Sequence, residues 1–360
     1  MCPPDTVSPQ PATPHNGADP APPLLVEVTR GTMVESRHRG AAAVVDPSGR
    51  VVRGWGDVEA LIYPRSSIKP IQALPLVESG AADAFDLGDA ELALACASHQ
   101  GEARHVEVVT AWLARIGLTP DDLACGPQVP SGAAAARALF ENHGEPARVH
   151  NNCSGKHSGM LTTAVHLGEP IDGYAAFSHP LQQRVLGVFE TMCGLDLSDA
   201  PRGIDGCSLP VVAMPLGNLA LGMARFADPA DQPEPRQRAA ARLRRAMATE
   251  PFMVHGSDTF VTDCMTATGE AVLVKGGAEG VFTAALPELG LGVAVKIEDG
   301  AARASEVAIA NILDELGVFD DKATAALAHW LTQKLTNWAG TDIGEVRPAR
   351  ALRCDTAHRH

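Results

Sequence analysis

Residues 280–300 read GVFTAALPELGLGVAVKIEDG, two short apolar runs joined by turn residues, which is the pattern of a β-hairpin. The same pattern occurs near the start of the chain in residues 40–54, GAAAVVDPSGRVVRG, where the turn falls at residues 46–49. A strand pattern precedes each hairpin, LLVEVTR at residues 24–30 and AVLVKGG at residues 271–277. Strands are therefore predicted at both ends of the sequence.

Helical patterns fill the region between these strands. In residues 102–117 the apolar side chains recur every three or four positions, and residues 178–194 predict a helix from a cap at Ser178 to a stop at Gly194. Further helices are predicted at residues 89–97, 134–142, 157–167, 235–248, 303–316 and 322–333. Strands at both ends with helices between them predict an α+β fold, in which helices flank a mainly antiparallel sheet built from both termini.

Two segments have the composition of irregular structure. Residues 1–23 are rich in proline, alanine and glycine and have almost no large apolar residues, so they are predicted to be a disordered tail. Residues 227–238, ADPADQPEPRQR, are predicted to be an internal loop.

Composition excludes several classes of partner. The chain has 360 residues, of which 45% are hydrophobic, so it is long enough to bury a sizeable core. Its formal net charge is −14 at pH 7 without a basic block, which argues against nucleic acid as a partner. No apolar run reaches the roughly 18 residues of a membrane span, and the first residues do not resemble an export signal. We therefore expect a cytoplasmic protein with reduced cysteines and no membrane partner.

Residues 65–72, RSSIKPIQ, place Ser66 three positions before Lys69 at the start of an apolar helix. This spacing puts both side chains on one helix face, one turn apart. If burial and nearby positive charge lower the pKa of Lys69, its neutral amine can take the proton of the Ser66 hydroxyl. The alternative is a helix cap followed by a solvated lysine, and the tetrapeptide alone does not choose between them.

Two further short motifs follow in the chain, SHQ at residues 98–100 and KGG at residues 275–277. Penicillin-recognising enzymes use SxxK, then a Ser-x-Asn element, then Lys-Thr-Gly on a strand beside the site. The order is the same here, although Gln100 replaces Asn and Gly276 replaces Thr. Glycines after Lys275 would let a substrate approach the strand backbone closely, while the alternative is a simple strand-ending turn.

Two segments each place a cysteine among polar residues: NNCSGKHSG at residues 151–159 and GIDGCSLP at residues 203–210. Cys153 and Cys207 could share a zinc ion, but two thiolates fall short of the usual three or four ligands. The alternative is that Asn152 or Ser154 caps the following helix and Cys153 is simply buried.

Taken together, VTRGTMVESRHRGAAAVVD, YPRSSIKPIQALP, CASHQGEARH, NNCSGKHSGML, GIDGCSLP and VKGGAEGVF resemble the asparaginase II family, the Rhizobium etli type of asparaginase. The resemblance covers residues 24–348 as one catalytic domain and leaves residues 349–360 as a C-terminal tail. It implies a fold similar to serine β-lactamases, penicillin-binding proteins and glutaminases. It also implies a homodimer.

The resemblance assigns the catalytic roles. Ser66 and Lys69 would form one Ser-Lys tandem, and Ser98 and Lys275 a second. Both tandems would converge on the side-chain amide of L-asparagine, with Ser66 as the nucleophile and Lys69 as its base. The implied reaction is acyl transfer, in which ammonia leaves and water then hydrolyses the aspartyl ester.

The resemblance also implies one zinc ion near the substrate, bound by Cys153, Lys156 and Cys207 with water as the fourth ligand. A lysine can ligate only when it is neutral, so zinc binding would release protons.

A zwitterionic substrate needs further contacts: a cation for its carboxylate and an anion for its ammonium group. Arg65 and Asp205 are the candidates, with His157 near the metal and Gly276 beside the strand end.

Two alternatives stay open. One is a glutaminase-like or β-lactamase-like amidohydrolase on the same fold, although Gln100 and Gly276 depart from the pattern that faces a β-lactam ring. The other is a zinc- or thiol-dependent binding protein without turnover.

Overall fold

The structure is a computed structural model that describes residues 21–352. The tail predicted at residues 1–23 therefore lies almost entirely outside the described residues, and so does most of the tail predicted at residues 349–360.

Twelve strands occur in the described chain: β1 (Leu24–Arg30), β2 (Met33–Val45), β3 (Val51–Trp55), β4 (Leu61–Ile62), β5 (Arg202–Ile204), β6 (Pro210–Val212), β7 (Met214–Pro215), β8 (Leu273–Gly276), β9 (Val281–Leu286), β10 (Leu291–Ile297), β11 (Gln333–Thr336) and β12 (Asp342–Pro348). Eight of them form one sheet in the order β11-β12-β1-β2-β10-β9-β8, with β3 also paired to β2. Every pair in this sheet is antiparallel. Strands β4 and β7 form a separate pair, as do β5 and β6.

The α-helices over residues 21–352 are α1 (Lys69–Gln72), α2 (Leu74–Glu78), α3 (Ala81–Ala84), α4 (Asp89–Ala95), α5 (Ala103–Arg115), α6 (Ala133–Glu141), α7 (Ser154–Leu167), α8 (Pro180–Cys193), α9 (Leu216–Ala227), α10 (Glu234–Thr249), α11 (Pro251–His255), α12 (Phe260–Thr268), α13 (Ala302–Glu315) and α14 (Asp321–Leu331). None of the described helices is both long enough and apolar enough to span a membrane.

The sheet joins the two ends of the chain. Strand β1 pairs with β12, with Val26 opposite Pro348. The predicted α+β fold with an antiparallel sheet built from both termini is therefore confirmed. The chain continues past Pro348 into a short 3₁₀ helix, Arg350–Leu352, in which Leu352 is buried. Because Trp55 Nε1 also donates to Ala351 O at 2.8 Å, the folded domain extends beyond the predicted boundary at residue 348.

Strand β10 lies at the centre of the core. Its residues Gly292, Val293, Ala294 and Val295 are all buried, so both faces of the strand are covered. Helix α9 packs on the face of Gly292 so closely that a Cβ on this glycine would lie 2.1 Å from Ala220 O. The other face packs against α13. Helix α9 was not predicted, although its polar residues Asn218 and Arg225 lie seven positions apart on one face and give an amphipathic pattern.

Two local predictions are wrong. The cap of α8 is His179, whose Nδ1 accepts the Leu181 N–H at 3.1 Å, and not Ser178. The loop predicted at residues 227–238 ends early, because α10 begins at Glu234. The hairpin β11–β12 was also not predicted, since the half-exposed β11 has too few apolar residues to give a strand pattern.

The contact between β10 and α9 makes a stability prediction. Gly292→Ala should lower the free energy of unfolding by about 3 kcal/mol or more, because the methyl group would meet helix backbone that cannot move aside. The matched control is Gly187→Ala in α8, where a Cβ meets nothing within 4 Å. The free energy of unfolding of that variant should rise by about 0.5–1 kcal/mol, because alanine loses less conformational entropy than glycine in a helix. Urea unfolding of both variants measures the difference, and equal stabilities would contradict this packing.

Candidate active site

A cleft of about 270 Å³ lies where the end of β8 meets the segment before α1. Its wall includes three residues singled out from the sequence: Ser66, Ser98 and Gly276. Further polar side chains complete it: Ser131, Asn152, His255, Thr259, Ser305 and Glu306. The cleft therefore gathers side chains from segments that are far apart in the sequence.

Ser66 lies on a short 3₁₀ helix, Arg65–Ile68, directly before α1. Arg65 has a φ of 51°, a left-handed conformation that costs a non-glycine residue roughly 1 kcal/mol or more. An ion pair holds it there, since Arg65 Nη2 and Nε lie 2.7 and 3.1 Å from Asp205 Oδ1. The turn that presents Ser66 to the cleft is thus anchored to the loop that carries Cys207.

The strand end packs directly on this turn. Lys275 of β8 is opposite Thr283 of β9, and Thr283 Oγ1 donates to Ser67 O at 3.0 Å. A Cβ on Gly277 would lie 3.0 Å from Ser67 N and 3.4 Å from Ser66 N. The second glycine of the KGG motif is therefore needed for close approach of two backbones.

The hydroxyl of Ser98 lies between two lysine amines. Lys69 Nζ is 2.9 Å from Ser98 Oγ, and Lys275 Nζ is 2.8 Å from the same atom. Both lysines are buried. Each amine also has a carbonyl partner, Ala97 O at 2.5 Å from Lys69 and Gly276 O at 2.7 Å from Lys275. Ser98 thus connects the two lysines through its single oxygen atom.

This arrangement differs from the two separate tandems expected from the sequence. The predicted contact between Ser98 and Lys275 is present, but Lys69 also contacts Ser98. Within residues 21–352, no hydrogen bond joins Ser66 Oγ to Lys69 Nζ. The reason is that three acceptors from other segments already surround the Lys69 amine: Ala97 O, Ser98 Oγ and Cys153 Sγ.

Burial disfavours the charged form of both amines. It lowers the pKa of Lys69 below the ordinary value of 10.5. Burial, with the adjacent Lys69, lowers the pKa of Lys275 well below that value. A neutral amine has a lone pair, so a proton from the Ser98 hydroxyl can move to either lysine.

The two cysteines and Lys156 come together behind Ser98. Cys153 is the N-cap of α7, Lys156 lies in its first turn, and Cys207 is at the tip of the β5–β6 hairpin. Lys156 Nζ is 3.0 Å from Cys207 Sγ, and Lys69 Nζ is 3.2 Å from Cys153 Sγ. We call Cys153, Lys156 and Cys207 the thiol cluster. Lys69 therefore contacts both the thiol cluster and Ser98.

Close helix packing places the cluster beside Ser98. A Cβ on Gly155 would lie 2.4 Å from Leu94 O, so the first turn of α7 rests on the last turn of α4. Ser98 follows α4 directly, which brings it close to Cys153. The alternative to a zinc site was a side-chain cap by Asn152 or Ser154 with Cys153 simply buried; that cap is absent, although Cys153 is buried.

The thiol cluster carries negative charge balanced by lysine. A hydrogen bond from Cys207 and the nearby amines of Lys156 and Lys69 lower the pKa of the Cys153 thiol well below its ordinary value. The pKa of Cys207 is raised, because it shares its proton with Cys153 and is itself buried. Burial opposes charge on Lys156, but the two sulfur atoms outweigh it and raise the pKa of this amine.

Three of the four residues predicted to contact substrate do not line the cleft. Arg65 and Asp205 pair with each other, and Asp205 Oδ1 also accepts the Gly206 N–H at 2.7 Å. His157 is fully buried, with Nδ1 2.5 Å from Tyr174 Oη. Gly276 alone of the four belongs to the cleft wall.

Sequence reasoning assigned none of the six further polar residues to the site, and three of them, Asn152, His255 and Glu306, carry an amide, an imidazole and a carboxylate. Asn152 had a signal, since it directly precedes Cys153 in a polar motif. His255 and Glu306 lie in no motif, and only the fold brings them to the site. Burial lowers the pKa of His255 to about 3, so its ring is neutral. Its Nδ1 is buried without a hydrogen-bond partner in the described part of the chain.

Comparison with known families agrees with the motifs. The model of the L-asparaginase II family matches residues 26–348. The chain belongs to the L-asparaginase II family. No curated protein matches the chain significantly.

Solved structures with a similar arrangement are distant in sequence. The native form of Mglu is 14% identical with a TM-score of 0.44, over 79% of this chain and 66% of Mglu. A Bacillus glutaminase is 12% identical with a TM-score of 0.41, over 78% of this chain and 91% of its own. A β-lactamase from Mycobacterium bovis is 13% identical with a TM-score of 0.39, over 81% and 94%. This chain therefore spans less than two thirds of the length of Mglu, 66% in one structure and 62% in another.

Burial of Lys275 makes a prediction about stability. A lysine whose pKa is lowered by folding takes up a proton on unfolding at neutral pH, so wild-type stability rises with pH toward 10.5. Lys275→Met should therefore raise the free energy of unfolding at pH 7 by about 1–2 kcal/mol. The gain should shrink as the pH approaches 10.5, where the amine is neutral in both states.

Denaturant unfolding from pH 6 to 10 measures this difference, with the exposed Lys322→Met as the control. A Lys275 variant that is less stable than wild type at every pH would show that the amine stabilises the fold.

Proposed function

We propose that this family member is an L-asparaginase that hydrolyses the side-chain amide of L-asparagine through an acyl-enzyme on Ser66. The observation that carries the proposal is the contact of Ser98 Oγ with two buried amines, in the cleft that Ser66 also lines. Membership of the L-asparaginase II family supports the choice of substrate.

Backbone hydrogen bonding favours Ser66 over Ser98 as the nucleophile. A serine nucleophile commonly uses its own N–H to stabilise the oxyanion of the tetrahedral intermediate. The N–H of Ser98 is occupied, because it donates to Val254 O at 3.0 Å. Ser66 N lies beside the strand end at Gly277, and Ser66 itself lines the cleft.

Ser98 would act as the proton relay. As Ser66 Oγ attacks the amide carbon, its proton passes to Ser98, and the Ser98 proton passes to the amine of Lys69 or Lys275. The relay then returns a proton to the leaving nitrogen, the carbon–nitrogen bond breaks and ammonia departs. Water attacks the aspartyl ester by the same route and releases Ser66.

The thiol cluster could hold a zinc ion once Lys156 has lost its proton. Without the lysine, the His, Cys, Asp and Glu residues of the described chain form no group of three or more that could hold a metal. Cys153, Lys156 and Cys207 would hold the ion, which supplies a Lewis acid and a fixed positive charge near the substrate. The residues themselves tie the β5–β6 hairpin to α7, and Asp205 of that hairpin pairs with Arg65 beside Ser66.

Two other functions would use the same groups. A glutaminase-like or β-lactamase-like amidohydrolase would use the lysines and Ser98, while a zinc-binding protein without turnover would use only the thiol cluster. Rates with L-asparagine, L-glutamine and a chromogenic β-lactam distinguish a glutaminase-like or β-lactamase-like enzyme from an asparaginase.

A homodimer is proposed from the family resemblance, and sedimentation velocity tests it.

Substitution of Ser66 tests the mechanism. Ser66→Ala should reduce ammonia release from L-asparagine at least about a thousandfold, because the acyl-enzyme cannot form. Ser98→Ala should also slow the reaction, but it keeps the nucleophile, so the ester on Ser66 should still be trapped and seen by mass spectrometry. An acyl group found on Ser98 in wild type or in Ser66→Ala would reverse the two roles. Wild type that releases no ammonia from L-asparagine would refute the asparaginase proposal.

Metal content tests the thiol cluster separately. Cys207→Ser should lose zinc, measured by elemental analysis of the purified protein, while the circular dichroism spectrum stays that of a folded protein. The control is Cys264→Ser, a buried cysteine in α12 outside the cluster, which should retain the metal. Unchanged zinc in the Cys207 variant would place the metal elsewhere.

A further inference from the structure

The cleft needs an anion that the predicted residues do not supply. L-asparagine carries an ammonium group four bonds from its amide nitrogen, and a buried cation requires a negative partner. Asp205 was expected in this role, but its Oδ1 accepts hydrogen bonds from Arg65 and from the Gly206 N–H. Its charge is therefore already balanced, and Asp205 lies outside the cleft wall.

Glu306 is a carboxylate in the wall of the cleft. It lies in the second turn of α13, a helix packed on the sheet, and its side chain is half-buried. Among the cleft residues in the described chain, it is the one carboxylate, and it shares the cleft with Ser66 and Ser98. A charged group on a packed helix has a fixed position relative to the reacting serines.

This carboxylate has no cation beside it in the described structure. Its hydrogen-bond partner is neutral, since Gln333 Nε2 donates to Oε2 at 3.4 Å. Other partly buried carboxylates are paired: Asp205 with Arg65, Glu78 with Arg236 and Glu91 with Arg115. Burial accordingly raises the pKa of Glu306 above its ordinary value. An unpaired, partly buried carboxylate costs folding free energy, and a bound cation would offset that cost.

The other polar groups of the cleft cannot replace Glu306 as an anion. The ring of His255 is neutral, because burial lowers its pKa to about 3. Ser305 Oγ donates to Ala302 O at 2.9 Å, and Thr259 caps α12 through its hydroxyl. Only Glu306 therefore offers a full negative charge within the cleft.

We infer that Glu306 binds the α-ammonium group of the substrate and makes the site specific for amides of free α-amino acids. The inference rests on the proposed function and extends it from a reaction to a substrate class. It excludes amides that have no α-amino group or a blocked one, since these leave the carboxylate buried and unpaired. Glu306 is thus a specificity-determining residue that takes no part in proton transfer.

The test compares two substrates that differ only in the amino group: L-asparagine and succinamic acid, which keeps the amide and the carboxylate. Wild type should prefer L-asparagine. Glu306→Gln should lower kcat/KM for L-asparagine about tenfold or more, chiefly through KM, because a charge-assisted hydrogen bond is lost. The kcat/KM of Glu306→Gln for succinamic acid should stay the same or rise, so the variant should lose the preference for L-asparagine over succinamic acid.

Three controls make the outcome decisive. Asp314→Asn removes the same charge from the far end of α13, outside the cleft, and should leave kcat/KM for both substrates unchanged. Glu306→Asp should keep part of the preference because it keeps the charge. Thermal melting should show Glu306→Gln to be as stable as wild type or more so, since a partly buried charge is removed.

The results separate the inference from the proposed function. If wild type hydrolyses L-asparagine but Glu306→Gln slows both substrates equally, or neither, Glu306 has no role in recognising the ammonium group. Wild type that acts on succinamic acid as fast as on L-asparagine would also overturn the inference while leaving the amidase activity intact. Wild type that acts on neither compound would refute the proposed function, and the inference with it.

Discussion

The contact of Ser98 Oγ with the amines of Lys69 and Lys275 is the interaction on which the site depends. Two lysine side chains are removed from water there, which is unfavourable unless the amines lose their charge or find partners. The fold supplies a hydroxyl and two carbonyl oxygens as those partners. The result is a pair of buried amines that meet at Ser98 in the cleft wall, obtained at the expense of stability, as is common at active sites.

Close backbone contacts make this convergence possible. Lys275 reaches the site on β8, Lys69 on the first turn of α1, and Ser98 on the segment after α4. Gly277 lets the strand end touch the backbone at Ser66, and Gly155 lets α7 rest on α4. At each of these positions a side chain would separate two elements whose contact sets the distances between the serine and the lysines. These glycines act through tertiary packing, since neither has a left-handed φ.

A second set of contacts joins the thiol cluster to the same centre. Lys69 contacts Cys153 Sγ as well as Ser98 Oγ, so a change of charge in the cluster would shift the pKa of the Lys69 amine. From the other side, Asp205 of the Cys207 loop holds Arg65 in its strained conformation beside Ser66. The cluster is thus linked by direct contacts to the surroundings of both serines.

Most of the fold was predictable from sequence because amphipathic helices and alternating strands repeat with fixed periods. Those periods located the two hairpins and most of the helices, and the motifs located Ser66, Ser98, Lys275 and the thiol cluster. Helix α9 was missed, although Asn218 and Arg225 mark a polar face that the pattern of apolar residues leaves free. Hairpin β11–β12 was missed because its half-exposed residues are mainly polar.

The chemical groups of the protein, their order along the chain and its family can all be read from the residues in order. Which of those groups meet depends on the packed fold. It placed Lys69 against Ser98, paired Arg65 with Asp205, buried His157 away from the cleft and brought Glu306 into it. The physical reason is that hydrogen bonds and ion pairs act over about 3 Å, whereas their partners here lie tens to hundreds of residues apart. No local pattern encodes such a distance, which depends on how the helices and the sheet pack.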